Sequence, residues 1–263
     1  MKTVRKLIEC AMLIAIATVL SLIKLVDLPY GGSVTAASML PMVILAYRHG
    51  FGWGVGSALV YGALQQLLGL NTLSWVTTWQ SVLAVILLDY VIAFAGTCLG
   101  GIFKNKVGHG GSELALGALV ACIFRYVCHV ISGCTVWAGL SIPTTAALAY
   151  SFAYNATYMI PETIVLIVVG YYIGSVLDFS EPTLKRRTLQ NGGKLTLIGG
   201  VLVAVAVIFD TIMVFAKLQD AETGDFVISN LASVNWELCG IVSVVCLVPA
   251  IICFVLDKKK VLK

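Results

Sequence analysis

Residues 122–162 read CIFRYVCHVISGCTVWAGLSIPTTAALAYSFAYNATYMIPE and lie between two long apolar runs. Polar and aromatic side chains are concentrated in this stretch, namely Arg125, His129, Trp137, Tyr150, Tyr154, Asn155, Tyr158 and Glu162. Such groups are costly inside a hydrocarbon environment, so an otherwise apolar chain that keeps them usually uses them. The stretch is therefore the first candidate for a functional site.

The composition predicts an all-α integral membrane protein. Of the 263 residues, 59% are hydrophobic and 11% are charged, with a mean hydropathy of +0.98, whereas a soluble domain has about 25% charged residues. Segments of about 20 apolar residues, rising 1.5 Å each, can cross a bilayer. Eight such segments are predicted, at 7–25, 34–47, 51–69, 80–103, 112–132, 144–177, 195–217 and 236–256. The second is short, and the sixth is long enough to tilt or kink.

Basic residues occupy every second loop. They are Lys2, Arg5 and Lys6, then Arg48, then Lys104 and Lys106, then Lys185, Arg186, Arg187 and Lys194, and finally Lys258, Lys259, Lys260 and Lys263. The alternate loops hold only Lys24 and Lys217 near their edges. The positive-inside rule then predicts a multi-pass protein of the cell membrane with both termini in the cytoplasm. The net charge of +4 therefore reflects topology and does not indicate a nucleic-acid partner.

Several functional classes find no support in the motifs. The eight cysteines lie in or beside apolar helices without CxxC spacing, which favours small apolar side chains over metal ligands or disulfides. No GxxxxGK[ST] phosphate loop is present, so the chain is not expected to hydrolyse ATP. No HExxH or GxSxG signature is present either, and an enzyme is not expected. The first apolar run is too long for a cleavable signal and is expected to stay as an anchor.

Three predicted helices bring polar groups to the same depth. The fourth carries Asp89, whose charge at that depth costs about 3 kcal/mol unless it is paired or hydrated. The fifth carries His129, with Arg125 one turn deeper on the same face. The sixth carries Tyr150, Tyr154 and Tyr158 at intervals of four residues, together with Asn155. For the tyrosines an aromatic belt at the membrane interface is the alternative, and for Asp89 it is a neutral, hydrogen-bonded carboxyl group in the bundle.

The topology places these groups in the outer half of the bundle, near Trp137. A carboxylate, an amide, an imidazole and several aromatic faces can line one pocket there. Such a pocket suits a planar, nitrogen-rich molecule, including a cation, that enters from outside. Glu162 lies deeper, where it can accept a hydrogen bond or pair with Arg125.

The sequence is compatible with two interpretations for each of three other features. In the loop after the first helix, Pro29, Gly31 and Gly32 exclude a continuous helix, and the loop is either a lid or a connector. Ala11 and Ala15 give the first helix a small-residue face, for packing inside the bundle or against a partner. Asp210 in the seventh helix is a candidate site, but its closeness to an interface favours a solvated or locally paired carboxylate.

Four motifs resemble the thiamine-specific S component, the substrate-binding subunit of energy-coupling factor (ECF) vitamin transporters. They are LPYGGSV at 28–34, LDY at 88–90, RYVCHVISG at 125–133 and YSFAYNATYMIP at 150–161. The resemblance spans most of residues 5–177. It implies a six-helix S-component core within residues 1–188 and a thiamine site near the outer face. Residues 189–263 depart from the family pattern and are predicted to add two transmembrane helices without an assigned role.

The resemblance also implies roles for individual residues. Asp89 and Asn155 would hydrogen-bond the ligand, while His129, Trp137 and Tyr150 would line it. Further contacts are expected from Tyr90, Arg125, Tyr154 and the loop aromatic Tyr30. Some family members carry Glu where this chain has the shorter Asp89, which leaves open a direct or a water-mediated contact.

The implied partners complete the transport cycle. The face formed by Ala11 and Ala15 would dock on a transmembrane coupling subunit, and two cytoplasmic ATPases would supply the energy. No cofactor is expected, since thiamine is the transported ligand. The competing interpretation is a proton-coupled secondary transporter of thiamine or a related pyrimidine, with Asp89, His129 and Glu162 as a proton relay. The sequence shows no inverted repeat or paired broken helices that would favour it.

Overall fold

The computed structural model describes residues 2–28, 31–108, 110–140, 142, 144–179, 183–187, 194–218 and 227–261. Helices dominate this part of the chain, which confirms the all-α membrane class. In chain order they are α1 Lys2–Leu22, α2 Leu40–His49, α3 Phe51–Leu68, α4 Trp79–Gly101, α5 Gly110–Thr135, α6 Ala147–Val176, α7 Lys194–Leu218 and α8 Trp236–Val261.

Five of these helices, α4 to α8, are long and apolar enough to cross a membrane by length and composition. The helix α2 has only 10 residues, a length of about 15 Å. Every residue of α2 from Leu40 to Tyr47 is buried, so this short helix lies in the centre of the bundle. The prediction of eight membrane crossings stays a prediction.

Helix α4 changes its winding along its length. It begins as an α-helix over Trp79–Val85, becomes a π-helix over Ile86–Ile92, and ends as a 3-10 helix over Gly96–Gly101. The hydroxyl of Thr78 caps its first turn by accepting from the amide of Ser81. Wide π turns are rare and often occur at functional sites, because they re-aim the side chains they carry. Asp89 lies in the middle of this one.

Two small antiparallel hairpins were not predicted. Strand β1 Lys24–Asp27 pairs with β2 Ser33–Thr35, with Val26 opposite Val34. Strand β3 Leu177–Asp178 pairs with β4 Lys185–Arg186. The first hairpin follows α1, where Gly31 and Gly32 were expected to interrupt the helix, and it lies beside the candidate site. Pro29, which was expected to contribute to the same break, falls outside the described residues.

A polar network joins several predicted basic loops at one end of the bundle. The guanidinium of Arg48 donates to both carboxylate oxygens of Glu9, at 2.7 and 3.1 Å, and to the carbonyl oxygen of Phe179 at 3.1 Å. His49 Nε2 lies 2.7 Å from Glu9 Oε2. Lys104 donates to the carbonyl oxygen of Arg48 at 3.3 Å. Desolvation and the nearby Arg48 charge lower the pKa of Lys104.

The last two helices form a hairpin that packs on α6. Within it, the hydroxyl of Thr196 donates to the buried Asp257 at 2.5 Å, and Ser243 donates to Asp210 at 2.7 Å. Asp210 is thus paired locally, as one of its two interpretations expected. Phe215 of α7 reaches the main apolar core, so this hairpin is packed against the rest of the bundle.

Candidate binding site

A cavity of about 490 Å³ opens between the first hairpin and helices α3 to α6. Its volume falls within the range of about 300–1,000 Å³ that is usual for small-molecule sites. The lining includes the end of α1, the hairpin residues Gly31 and Gly32, the 3-10 turn Leu70–Trp75, and the facing sides of α4, α5 and α6. The stretch at 122–162 supplies two of these walls.

Asp89 is the centre of the polar network in this cavity. Its Oδ1 lies 2.7 Å from His129 Nδ1, and its Oδ2 accepts from the hydroxyl of Ser132 at 2.6 Å and from the indole N–H of Trp137 at 3.3 Å. A carboxylate offers about four acceptor positions on its two oxygens. Three of them are used within the protein, which leaves one on Oδ1 for a ligand or a water molecule.

Arg125 determines which nitrogen of His129 carries the proton. The Nε–H of Arg125 donates to His129 Nε2 at 3.0 Å, so that nitrogen must be an acceptor. The other ring nitrogen, Nδ1, then carries the hydrogen and donates to Asp89. The same guanidinium lies 4.6 Å from the centre of the Phe94 ring and donates to Met39 Sδ at 3.2 Å. Arg125 therefore orients the imidazole, and its guanidinium packs against the side chains of Phe94 and Met39.

Asn155 is held by neighbours in α5 and α6. Its amide nitrogen donates to the carbonyl oxygens of His129 at 3.3 Å and Ser151 at 2.9 Å. Its Oδ1 accepts from the hydroxyl of Tyr158 at 2.5 Å. Only 4% of the residue is exposed. The amide is thus fixed in orientation, with one acceptor position on Oδ1 left over.

The tight crossing of α5 and α6 at Gly133 makes this arrangement possible. A Cβ atom at Gly133 would lie 2.1 Å from Ser151 Oγ, which is far below any normal contact. Glycine at this position therefore lets the two helices approach closely enough for Asn155 to reach the His129 carbonyl.

Aromatic rings form the remaining walls. Tyr154 and Tyr158 pack edge to face with ring centres 5.9 Å apart, and Tyr158 meets the His129 ring at 6.3 Å. Trp137 is buried in a small cluster with Val85 and Ile142. Since Tyr158 lies inside the protein, the belt interpretation is wrong for this residue.

Carboxyl groups outnumber basic groups on the cavity lining. Asp27, Asp89 and Glu162 are present with Lys24 and Arg125. Lys24 and Asp27 bind each other at 2.9 Å near the exposed rim. Deeper in the cavity Asp89 and Glu162 share the lining with Arg125, so carboxyl groups are in the majority there as well.

The structure brings most of the predicted site residues together. The cavity is lined by Asp89, Tyr90, Arg125, His129, Trp137, Tyr154 and Asn155. Tyr150 is not among the described lining residues; it packs against the cluster that contains Trp137. Tyr30 falls outside the described residues. Ala11 and Ala15 lie on the exposed side of α1, whereas Ala17 faces the core.

Other lining residues were not singled out from the sequence. Gln65 lies at the end of α3, where its amide donates to Ser21 at 2.9 Å, and Thr72 lies 3.2 Å from the hydroxyl of Tyr90. Trp75 adds an aromatic side chain at the rim. Isolated glutamine, threonine and tryptophan residues near helix ends are common, so their sequence carries no periodic signal that would indicate a site.

Fold and site together define an all-helical membrane protein with a polar and aromatic cavity near one end. The sequence model of the thiamine transporter protein family (Thia_YuaJ) matches residues 7–178, which is more than half of the chain. The chain belongs to this family, which confirms the resemblance drawn from its motifs. Residues 179–263 lie beyond the matched range.

Individual relatives agree with this assignment. Thiamine transporter ThiT from Bacillus subtilis (strain 168) is 31% identical over 179 residues, covering 64% of this chain and 89% of the relative. A solved structure of ThiT from Listeria monocytogenes superimposes with a TM-score of 0.54, covering 66% of this chain and 94% of that one at 22% identity. The structural match shows a shared fold.

Proposed function

We propose that this chain is a thiamine-binding membrane subunit that captures thiamine on the outer face and delivers it to the cytoplasm with an ATP-driven ECF module. The observation that carries the proposal is the Asp89-centred cavity in a member of the thiamine transporter family.

The chemistry of the cavity matches the two rings of thiamine. The free acceptor positions on Asp89 and Asn155 suit the amino group of an aminopyrimidine, because neutral and charged oxygens both accept from N–H donors. The faces of Trp137, His129 and Tyr158 suit flat rings. A positively charged thiazolium ring over such a face gains about 2 kcal/mol when it is desolvated.

The proposed orientation places the cavity at the outer face. Support comes from the network of Glu9, Arg48 and Lys104, which gathers basic residues at one end of the bundle. The positive-inside rule makes that end cytoplasmic. Both termini are then proposed to be cytoplasmic.

The proposed partners are a transmembrane coupling subunit and two cytoplasmic ATPases. The chain lacks a phosphate loop of its own, so ATP must be hydrolysed elsewhere. Ala11 and Ala15 offer an exposed small-residue face on α1, of the kind that lets a second helix approach closely in a bilayer.

Reconstitution in liposomes tests the proposal. The purified chain alone should bind thiamine without concentrating it, and accumulation should require the ECF module and ATP. The double substitution of Ala11→Phe and Ala15→Phe should abolish uptake but preserve binding, while Ile241→Phe on the exposed side of α8 should preserve both. Accumulation of thiamine by the chain alone, driven by a proton gradient, would instead establish a secondary transporter.

A further inference from the structure

The first hairpin is fastened to α6 by a single buried carboxyl group. The amide of Thr35 in β2 donates to Glu162 Oε2 at 2.6 Å, and the Thr35 hydroxyl donates to Oε1 at 2.8 Å. Only 1% of Glu162 and 6% of Thr35 are exposed. Both oxygens of the carboxyl group therefore engage one residue of the hairpin, 127 positions away in sequence.

The clamp is reinforced on the hairpin side. The hydroxyl of Ser38 lies 2.8 Å from the Thr35 hydroxyl, and the Ser38 amide donates to the same oxygen at 3.3 Å. A second contact lies at Gly32, where a Cβ atom would come within 2.8 Å of the Tyr158 ring. The hairpin thus meets α6 at two points that flank the cavity.

The same face of α6 holds both the site and the hairpin. Asn155, Tyr158 and Glu162 lie at positions i, i+3 and i+7, which share one side of a helix. All three line the cavity. At the rim, by contrast, the exposed pair of Lys24 and Asp27 lies within β1 itself and does not join the hairpin to another element. The buried clamp is therefore the main polar attachment among the described contacts of the hairpin.

We infer that Glu162 is a positioning residue that holds the first hairpin closed over the cavity and thereby sets the rate at which ligand leaves. This inference rests on the proposed thiamine site. It assigns Glu162 to the hairpin, whereas the sequence left open a pairing with Arg125. It also assigns the lid interpretation, in preference to a connector, to the loop after α1.

Stopped-flow binding of thiamine to the purified full chain tests the inference. Glu162→Ala should raise the dissociation rate at least tenfold and change the association rate much less, because the pocket groups remain while the cover opens. Thr35→Val, which keeps the side-chain shape but removes the hydroxyl, should raise it about threefold. Glu162→Gln should stay within threefold of the wild type, since an amide can accept from the Thr35 amide and donate to its hydroxyl.

Hydrogen exchange of residues 31–38 gives an independent readout. The Thr35 amide should exchange at least tenfold faster in Glu162→Ala. The matched control is Glu113→Ala, which removes another buried carboxylate, one that accepts from Tyr47 at 2.6 Å and from the Lys106 amide. This control should leave both the dissociation rate and the exchange of residues 31–38 unchanged.

Unchanged dissociation in both Glu162→Ala and Thr35→Val would overturn the inference, as would an equal effect of Glu113→Ala. If Glu162→Ala does not fold, Thr35→Val and Glu162→Gln decide by the same rates. If the wild type binds no thiamine, the proposed function fails, yet the exchange of the Thr35 amide still reports whether Glu162 holds the hairpin.

Discussion

Replacing Asp89 by asparagine tests the centre of the cavity with the least change in shape. Asp89 now accepts hydrogen bonds from His129, Ser132 and Trp137, at 2.7, 2.6 and 3.3 Å. An asparagine has one oxygen and one NH2 group. Its NH2 group must therefore point at a neighbour that is itself a hydrogen-bond donor. Turned one way, its NH2 group meets the indole N–H of Trp137; turned the other way, it meets the N–H of His129.

The expected magnitude follows from this geometry. A hydrogen bond to a charged group contributes about 1.5–3 kcal/mol, and each 1.4 kcal/mol is about tenfold in affinity. The substitution also removes a negative charge that would face a cationic ligand. We therefore expect Asp89→Asn to raise the Kd for thiamine at least tenfold, measured by titration of the purified chain with tryptophan fluorescence as the signal.

The matched control is Asp210→Asn, which changes a carboxylate that pairs with Ser243 in α7 and α8, away from the cavity lining. It should leave the Kd within twofold of the wild type. An Asp89→Asn protein that binds thiamine as tightly as the wild type would refute the reasoning and move the site elsewhere.

Three more substitutions have defined outcomes. Asn155→Ala should weaken thiamine binding at least tenfold, because it removes the acceptor position proposed for the ligand's amino group and an unpaired buried group costs about 1–3 kcal/mol; unchanged affinity in calorimetry would contradict this. Gly117→Ala should lower the free energy of unfolding by about 1–3 kcal/mol through overpacking, and with it the melting temperature, since a Cβ atom there would lie 2.1 Å from the Gly100 carbonyl oxygen. Gly56→Ala, where a Cβ atom would have nothing within 4 Å, is the control and should not lower the melting temperature. Asp257→Ala should destabilise the α7–α8 hairpin by about 1–3 kcal/mol through loss of the Thr196 contact, while the Kd for thiamine stays within twofold; an equal loss of binding would tie that hairpin to the site.

The helices and the depth of the site could be predicted because both follow from local pattern. Apolar length sets each helix, and a rise of 1.5 Å per residue fixes how deep Asp89, His129 and Asn155 lie. Three helices of alternating direction then bring these groups to one level, and the structure places all three on one cavity.

The tyrosine stripe shows where such reasoning loses accuracy. Eight residues along a helix of 3.6 residues per turn rotate a side chain by about 80° beyond two full turns. Tyr150 and Tyr158 therefore do not share one direction. Tyr158 faces the cavity, while Tyr150 packs against the cluster around Trp137.

Other parts depend on contacts between distant residues. Pro29, Gly31 and Gly32 predicted a break in the helix and left a lid or a connector open. They did not predict the pairing of Val26 with Val34 or the contact of Thr35 with Glu162, 127 positions away. The π-helical turn at Asp89 has no marker in the sequence ILLDYVI either. It coincides with close packing against α3, where a Cβ atom at Gly62 would lie 2.9 Å from the Tyr90 carbonyl oxygen.

Equilibrium titration of the purified full chain with thiamine is the most direct test of the central claim that this cavity binds the vitamin. Saturable binding of one thiamine per chain should quench tryptophan fluorescence, and most of the quenching should disappear in Trp137→Phe. Calorimetry on the same preparation should give the same Kd. An absence of binding by both methods, in protein that melts cooperatively, would contradict the account.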